Sequence, residues 1–127
     1  MEPCTVTDLK RMEFDKTVHP SVFYDGALAI AVNNWADLCA IFVRWLVQNK
    51  YLSANSVPIH NHAKRDKYFI NNAPRHAIPG KDGDWRAVGQ FYVDTKYNAD
   101  AHIKNILSTL EQLGVVNPHF SISFNVP

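Results

Sequence analysis

The chain has 127 residues, of which 46% are hydrophobic and 20% are charged, and its formal net charge is +1. This length and composition fit one globular domain over residues 1–127 with a buried core. The small net charge excludes a strong overall field that would draw nucleic acid or an anionic membrane to the protein, so any such binding requires a local patch.

The first part of the sequence predicts an arm, a β-hairpin and a long helix. Residues 1–12 mix charged side chains with threonine and show no period, which is typical of a flexible arm. Two apolar runs flank Asp25-Gly26, a pair that accepts the positive φ angles of a tight hairpin turn. Residues 34–50 repeat apolar side chains at the period of a helix, with Trp35 and Trp45 on one face and Asn34 as the N-cap.

The second part predicts two loops, three strands and a second helix. Residues 53–67 and 72–86 are polar or rich in Pro and Gly and predict loops, with a short strand at 67–71 between them. Residues 88–95 and 120–124 alternate in polarity and predict one strand each. Residues 99–113 carry an amphipathic stripe of Ile and Leu, with Asn98 as the N-cap.

These elements place the chain in the α+β class, in the order ββαββαβ. The arrangement that this order favours is one mixed or antiparallel sheet of about five strands, with the two main helices packed on it. No apolar stretch is long enough to span a membrane, and the N-terminal residues lack the apolar core of a signal peptide. Cys4 and Cys39 have no redox or metal spacing, so we expect a reducing, cytoplasmic location.

The join between the predicted strand at 88–95 and the second helix is one candidate binding site. A helix N-terminus has free N–H groups and a positive dipole end, both of which attract anions. The side chains of this corner that would contact a phosphate, sugar or base are Lys96, Tyr97, Asn98, His102 and Asn105. The alternative is that Asn98 only caps the helix and Lys96 is a solvated charge.

The two loops form the other candidate site, because their basic residues are interleaved with aromatic ones. Phosphates need cations and bases need stacking faces, so this composition suits nucleic acid. The loop residues assigned to binding are Lys64, Arg65, Lys67, Arg75, Trp85 and Arg86. The alternative is a charged, solvated loop in which Trp85 covers the edge of the core.

The sequence carries no motif for a nucleophilic enzyme, a phosphate-binding loop or a zinc protease. We therefore predict no catalytic residues, no cofactor and no metal. His60 and His62, with His76 as a third ligand, lack a supporting cysteine or carboxylate at a metal-ligand spacing. Because histidine titrates near neutral pH, a small His-dependent enzyme that cleaves phosphodiesters stays open as an alternative.

Several segments together resemble a known class of module. They are the hairpin with its Asp-Gly turn, the helix start at 34–38, the strand-to-helix join at 91–99 and the helix that ends at 113–115. Over roughly residues 20–125 this pattern resembles small α+β modules at the C-termini of bacterial restriction and phage-defence proteins. The resemblance implies an accessory domain that reads nucleic acid or docks a partner.

The predicted function is therefore a non-enzymatic recognition module of a prokaryotic defence or restriction system. Its partner would be DNA, RNA or a nucleotide, bound by the two loops and the corner. The alternative is a docking or homodimerisation module that uses Tyr92, Tyr97 and a last strand at the edge of the sheet. Its partner would then be a protein of the same system or a second copy of the chain.

Overall fold

A computed structural model describes residues 3–125 of the chain. Within this range the chain forms eight strands and three helices. Their bounds, in chain order, are β1 Cys4–Thr5, α1 Val6–Leu9, β2 His19–Asp25, β3 Leu28–Ala31, α2 Trp35–Gln48, β4 Ile59–His60, β5 Tyr68–Asn71, β6 Trp85–Val88, β7 Phe91–Asp94, α3 Ala99–Gln112 and β8 Ser121–Asn125.

The strands form two antiparallel sheets of four strands each. The first has the order β1-β8-β2-β3 and the second the order β4-β5-β7-β6. The α+β class is confirmed, but the single sheet of about five strands in the order ββαββαβ is wrong. The last strand is also not at an edge, because β8 lies between β1 and β2. Alternating polarity identifies which side of a strand is buried, but it does not identify the neighbouring strand.

Helix α2 lies between the two sheets and forms the centre of the core. It contacts β2 of the first sheet, β6 and β7 of the second, and α3. Leu38, Phe42 and Leu46 on this helix are fully buried. Asn34 is the N-cap, as predicted, and its side chain accepts the Asp37 N–H. Because two sheets cover it, the helix has the narrow polar stripe that the sequence shows.

Helix α3 also begins and ends close to the predicted residues. Asn98 caps it by accepting the Ala101 N–H, and Gly114 follows its end with a φ of +67°. Ile103, Ile106 and Leu110 form its buried face. A left-handed residue after the helix lets the chain turn towards β8.

The predicted single strand at 88–95 is wrong, because this segment contains a tight hairpin. Strand β6 ends at Val88 and β7 begins at Phe91, with Gly89 and Gln90 forming the turn. Gly89 has a φ of +59°, a conformation that glycine adopts without strain. The alternation of polar and apolar residues continues through the turn and hides it, whereas the glycine is the signal that marks it.

Several segments predicted to be irregular contain regular structure. Part of the predicted arm at 1–12 forms β1, which pairs with β8, and α1, whose Leu9 is buried. Residues 1 and 2 lie outside the described range. The first predicted loop contains the short strand β4, and the second ends in the first residues of β6. Across residues 3–125, none of the helices has the length and apolar character required to cross a membrane.

Candidate nucleic-acid interface

A row of aromatic rings crosses the second sheet and its loops. The ring centres of His60 and Tyr68 are 5.7 Å apart, those of Tyr68 and His76 are 6.4 Å apart, and those of His76 and Trp85 are 4.8 Å apart. His76 is buried, whereas Tyr68 and Trp85 are partly exposed. The row therefore presents two aromatic side chains to solvent and holds them together through a buried ring.

The predicted loop cations belong to the same segments as this row. Lys64, Arg65 and Arg75 are exposed, and Lys67 is partly exposed. Within residues 3–125 none of these four lies within 4.0 Å of a carboxylate oxygen, the distance that defines a salt bridge. Their charges are therefore available to an anionic ligand that contacts the rings.

A surface pocket of about 380 Å³ lies at the His60 end of the row. The loop after β4 forms one wall, through His60, His62 and Arg65, and α3 forms the other, through Ser108 and Gln112. The Gln112 amide holds the two walls together, because it accepts the His60 N–H and donates to the His60 carbonyl, both at 2.9 Å. The pocket is thus built on a helix and a pinned loop rather than on a free loop.

The buried carboxylate of Asp94 contacts the segments that carry the aromatic row. Its Oδ1 accepts the N–H groups of Asp84 and Lys96, both at 3.0 Å, and its Oδ2 accepts the Tyr97 hydroxyl at 3.2 Å. His76 Nε2 lies 3.0 Å from Oδ2, at an angle outside hydrogen-bond geometry, so that contact is electrostatic. One carboxylate therefore connects the loop before β6 with the segment between β7 and α3.

The hydrogen bond that His76 accepts from Tyr68 fixes the tautomer of its neutral ring. Its Nδ1 accepts the Tyr68 N–H at 2.9 Å, so in the neutral ring the proton is on Nε2, facing Asp94. This orients the ring between Tyr68 and Trp85. These contacts hold His76 inside the protein, whereas His60 and His62 line the pocket.

Trp85 covers the loop before it, and Arg86 is paired within the protein. A Cβ atom on Gly83 would lie 2.6 Å from Trp85 Nε1, so glycine is required for this close approach. Arg86 donates to the Asp37 carboxylate on α2, and this hydrogen bond lowers the pKa of Asp37. The structure thus separates Arg86 from the unpaired loop cations with which the sequence grouped it.

The predicted corner at the start of α3 has only part of the expected arrangement. Asn98 is occupied as the helix cap, and exposed Lys96 lies 3.7 Å from Asp82. Tyr97 is partly buried, and burial together with the nearby Asp94 raises its pKa to about 12. Of these three residues only Lys96 is charged, and its side chain is exposed to solvent.

His102 and Asn105 lie in the interior and not at the surface of this corner. Both are at most 1% exposed. His102 stacks on Trp35 at 5.8 Å, and its Nδ1 lies 3.3 Å from Cys39 Sγ. Burial lowers the pKa of His102 to about 4. The expected imidazolium contact from His102 to an anion is therefore absent, because the ring is buried and neutral.

Neutral His102 predicts a loss of stability in acid. The unfolded chain binds a proton near pH 6.5, whereas the folded chain binds it only near pH 4, so stability falls as the pH falls through this window. We expect a loss of about 2 kcal/mol between pH 8 and pH 5 from this group. Urea unfolding of the parent, His102→Gln and the control His19→Gln at both pH values measures it. Equal acid losses in all three proteins would contradict the buried neutral ring.

The cysteines are free thiols in the described chain, and both are buried. Burial raises the pKa of the Cys39 thiol well above its usual value, so the group stays protonated and is a poor nucleophile. Residues 3–125 also contain no cluster of three or more His, Cys, Asp or Glu side chains that would hold a metal ion. The side chains that line the pocket carry imidazole, guanidinium, hydroxyl and amide groups.

Several residues of this interface were not among the predicted binding residues, including the histidines His60, His62 and His76. Tyr68 provides an exposed ring, Asp94 organises the loops, and Ser108 and Gln112 line the pocket. Tyr68 stood beside the loop cations, so its position was a usable signal. Ser108 and Gln112 lie outside the Ile and Leu stripe of the predicted helix, and nothing in the local sequence indicates which loop packs against them.

No family model matches the sequence, and neither the curated proteins nor the solved structures contain a match to it. Function is therefore inferred from the geometry of this interface.

Proposed function

We propose that the chain is a recognition module that binds single-stranded nucleic acid along the aromatic row. The observation that carries this proposal is the coincidence of two partly exposed rings, Tyr68 and Trp85, with loop cations that form no salt bridge within residues 3–125. Bases stack on exposed rings, and cations beside them neutralise phosphates. Unpaired bases are required because a duplex hides their faces.

The residues to which we assign a binding role differ from those that the sequence predicted. The four loop cations and Trp85 keep their proposed role, and Lys96 adds a charge at the corner. His102 and Asn105 contribute through the core, and Asn98 through the helix cap. The setting in a cytoplasmic defence or restriction system is part of this proposal and rests on the resemblance and on the two free thiols.

Anisotropy titration of a labelled single-stranded oligonucleotide tests the proposal. We expect affinity to fall as salt rises, since cation–phosphate contacts release counterions. Tyr68→Leu should weaken binding about tenfold, the scale of one base–aromatic stack. Lys64→Ala should weaken it several-fold and reduce the salt slope by about 0.7. Lys16→Ala removes an exposed lysine before β2 and serves as the charge control.

Three results would count against this function. They are binding that is independent of salt, equal affinities for Lys64→Ala and Lys16→Ala, or unchanged affinity in Tyr68→Leu. The same samples should be separated on a denaturing gel. Shortened oligonucleotides that disappear when His60 or His62 is replaced would favour the alternative of a His-dependent phosphodiesterase, because both imidazoles line one pocket.

A specific observation also favours the homodimerisation alternative, at a different strand from the one expected. Strand β3 is an edge of the first sheet and carries no charge, and its Leu28 is 60% exposed. Because the Val32 N–H donates to Ser21, the N–H and C=O groups of Ala29 and Ala31 point away from β2. A two-fold axis at Ile30 would pair these groups with a second copy. Sedimentation should show a dimer that Leu28→Lys disrupts, and a monomeric parent would exclude it.

A further inference from the structure

The pocket at the His60 end of the row is lined by cationic and neutral donors. Its charged or ionisable lining residues are His60, His62 and Arg65, and none of the carboxylates in the described part of the chain lines it. Its volume of about 380 Å³ is in the range of small-ligand sites. A site of this composition selects an anion.

The hydrogen bonds of the lining show which groups remain for a ligand. His60 Nδ1 donates to the Arg65 carbonyl at 2.8 Å, which leaves Nε2 as the free ring nitrogen. Ser108 Oγ accepts a hydrogen bond from Gln112 at 3.0 Å, so its own proton can be donated. The His62 backbone N–H is held by Asn105 Oδ1 at 2.9 Å, which fixes the position of that residue. The pocket therefore presents Ser108, His62 and Arg65 as donors on a fixed frame. In the neutral ring of His60 the free Nε2 is an acceptor.

The pocket also marks an end of the proposed binding path. The aromatic row runs from Trp85 to His60, and α3 lies against His60, because Gln112 bonds to the His60 backbone and lines the pocket. A strand that followed the row to His60 would meet this helix, so a terminal group would fit the pocket better than an internal one. A terminal phosphomonoester carries close to two negative charges at neutral pH, whereas an internal phosphodiester carries one. Because Arg65 is a permanent cation of the pocket and no carboxylate of residues 3–125 lines it, the pocket matches the more highly charged group.

We propose that this pocket binds the terminal phosphomonoester of the strand, through Arg65, His62 and Ser108. This inference rests on the proposed function, because the row brings the strand to the pocket. The same chemistry is present in a free nucleoside monophosphate. Burial and the positive charge of Lys104 lower the pKa of His62, with Asp100 acting in the opposite sense, and a bound anion would offset both lowering effects.

Oligonucleotides that differ only at their ends separate this proposal from the function itself. Affinities are measured for one labelled single strand with a 5′-phosphate, a 3′-phosphate or hydroxyls at both ends, and for a nucleoside monophosphate. We expect one phosphorylated end to bind about tenfold more tightly than the hydroxyl form, the effect of charge-assisted hydrogen bonds. Ser108→Ala and His62→Gln should remove most of this difference, so their loss of affinity should be clearly larger for the phosphorylated strand than for the hydroxyl form. Tyr68→Leu, as the matched control, should weaken all strands equally.

The imidazole resonances of His62 supply a second measurement. Because a bound phosphate favours the imidazolium, the pKa of His62 in an NMR titration should rise when the phosphorylated strand or the monophosphate is added. If the hydroxyl strand binds and phosphate adds nothing, the pocket proposal is wrong and the binding function stands. If no strand binds, the function is wrong, and the monophosphate then decides the pocket: a rise in the pKa of His62 supports it and no change overturns it.

Discussion

Trp45→Ala should lower the free energy of unfolding by about 4 kcal/mol, because removing a large buried side chain loses its burial and leaves a cavity. Trp45 is 4% exposed, and its ring lies 4.9 Å from Phe120, 5.5 Å from Tyr51 and 6.3 Å from Phe42. The indole therefore joins α2 to the segment before β8 and to the loop after the helix. Urea unfolding followed by circular dichroism measures the loss.

Val47→Ala is the matched control on the same helix. Val47 is 39% exposed, so its truncation removes little buried area and should cost less than about 1 kcal/mol. Similar losses for Trp45→Ala and Val47→Ala would contradict the packing of α2 between the sheets. Trp35 lies on the helix face predicted to be buried together with Trp45, but it is only partly buried, so Trp35→Ala should lower the free energy of unfolding by less than Trp45→Ala.

Asp94→Asn should destabilise the protein by about 3 kcal/mol, the cost of removing one partner from a buried, hydrogen-bonded charge. An amide at this position keeps one oxygen for the N–H groups of Asp84 and Lys96. Its NH₂ group would then face the Nε2–H of His76, which cannot move to Nδ1 because Tyr68 occupies that atom. Two donors would oppose each other in a buried site.

Asp82→Asn provides the control for this prediction. Asp82 belongs to the loop that Asp94 holds, but it is exposed and makes only a long contact with Lys96. Its replacement should change the free energy of unfolding by less than about 1 kcal/mol. A double-mutant cycle of Asp94→Asn with His76→Gln should be clearly non-additive, because the two side chains are in contact. Additive losses would show that His76 does not interact with the carboxylate.

The Asp94 variant also connects stability with the candidate interface. Tyr68 and Trp85 are held on either side of His76, and His76 is oriented by Asp94. We expect folded Asp94→Asn protein to bind oligonucleotides more weakly than Asp82→Asn, although Asp94 is buried and cannot contact a ligand. The carboxylate thus acts as a positioning residue for the aromatic row.

Local chemistry was sufficient to predict the two helices and the first hairpin. Asn34 and Asn98 are N-caps because their side chains accept backbone N–H groups three residues on, a contact within one segment. The first hairpin turns at Gly26 and Ala27, one residue later than the predicted Asp25-Gly26 pair, and the reason is again local, since Gly26 has a φ of +60°. The exposure of the loop cations was also predictable, because charged side chains are rarely buried.

Which strands are neighbours, and which side chains meet, was decided by the tertiary structure. The pairing of β8 between β1 and β2 joins residues more than 100 positions apart, and no period in the sequence encodes that choice. Gln112 meets His60 across 52 positions, and this contact creates the pocket. His102 was predicted at the surface because it lies on the first turns of α3, yet packing against Trp35 and Cys39 places it inside. Periodicity defines the buried face of one element, whereas the identity and depth of a contact depend on the surface that another element presents to it.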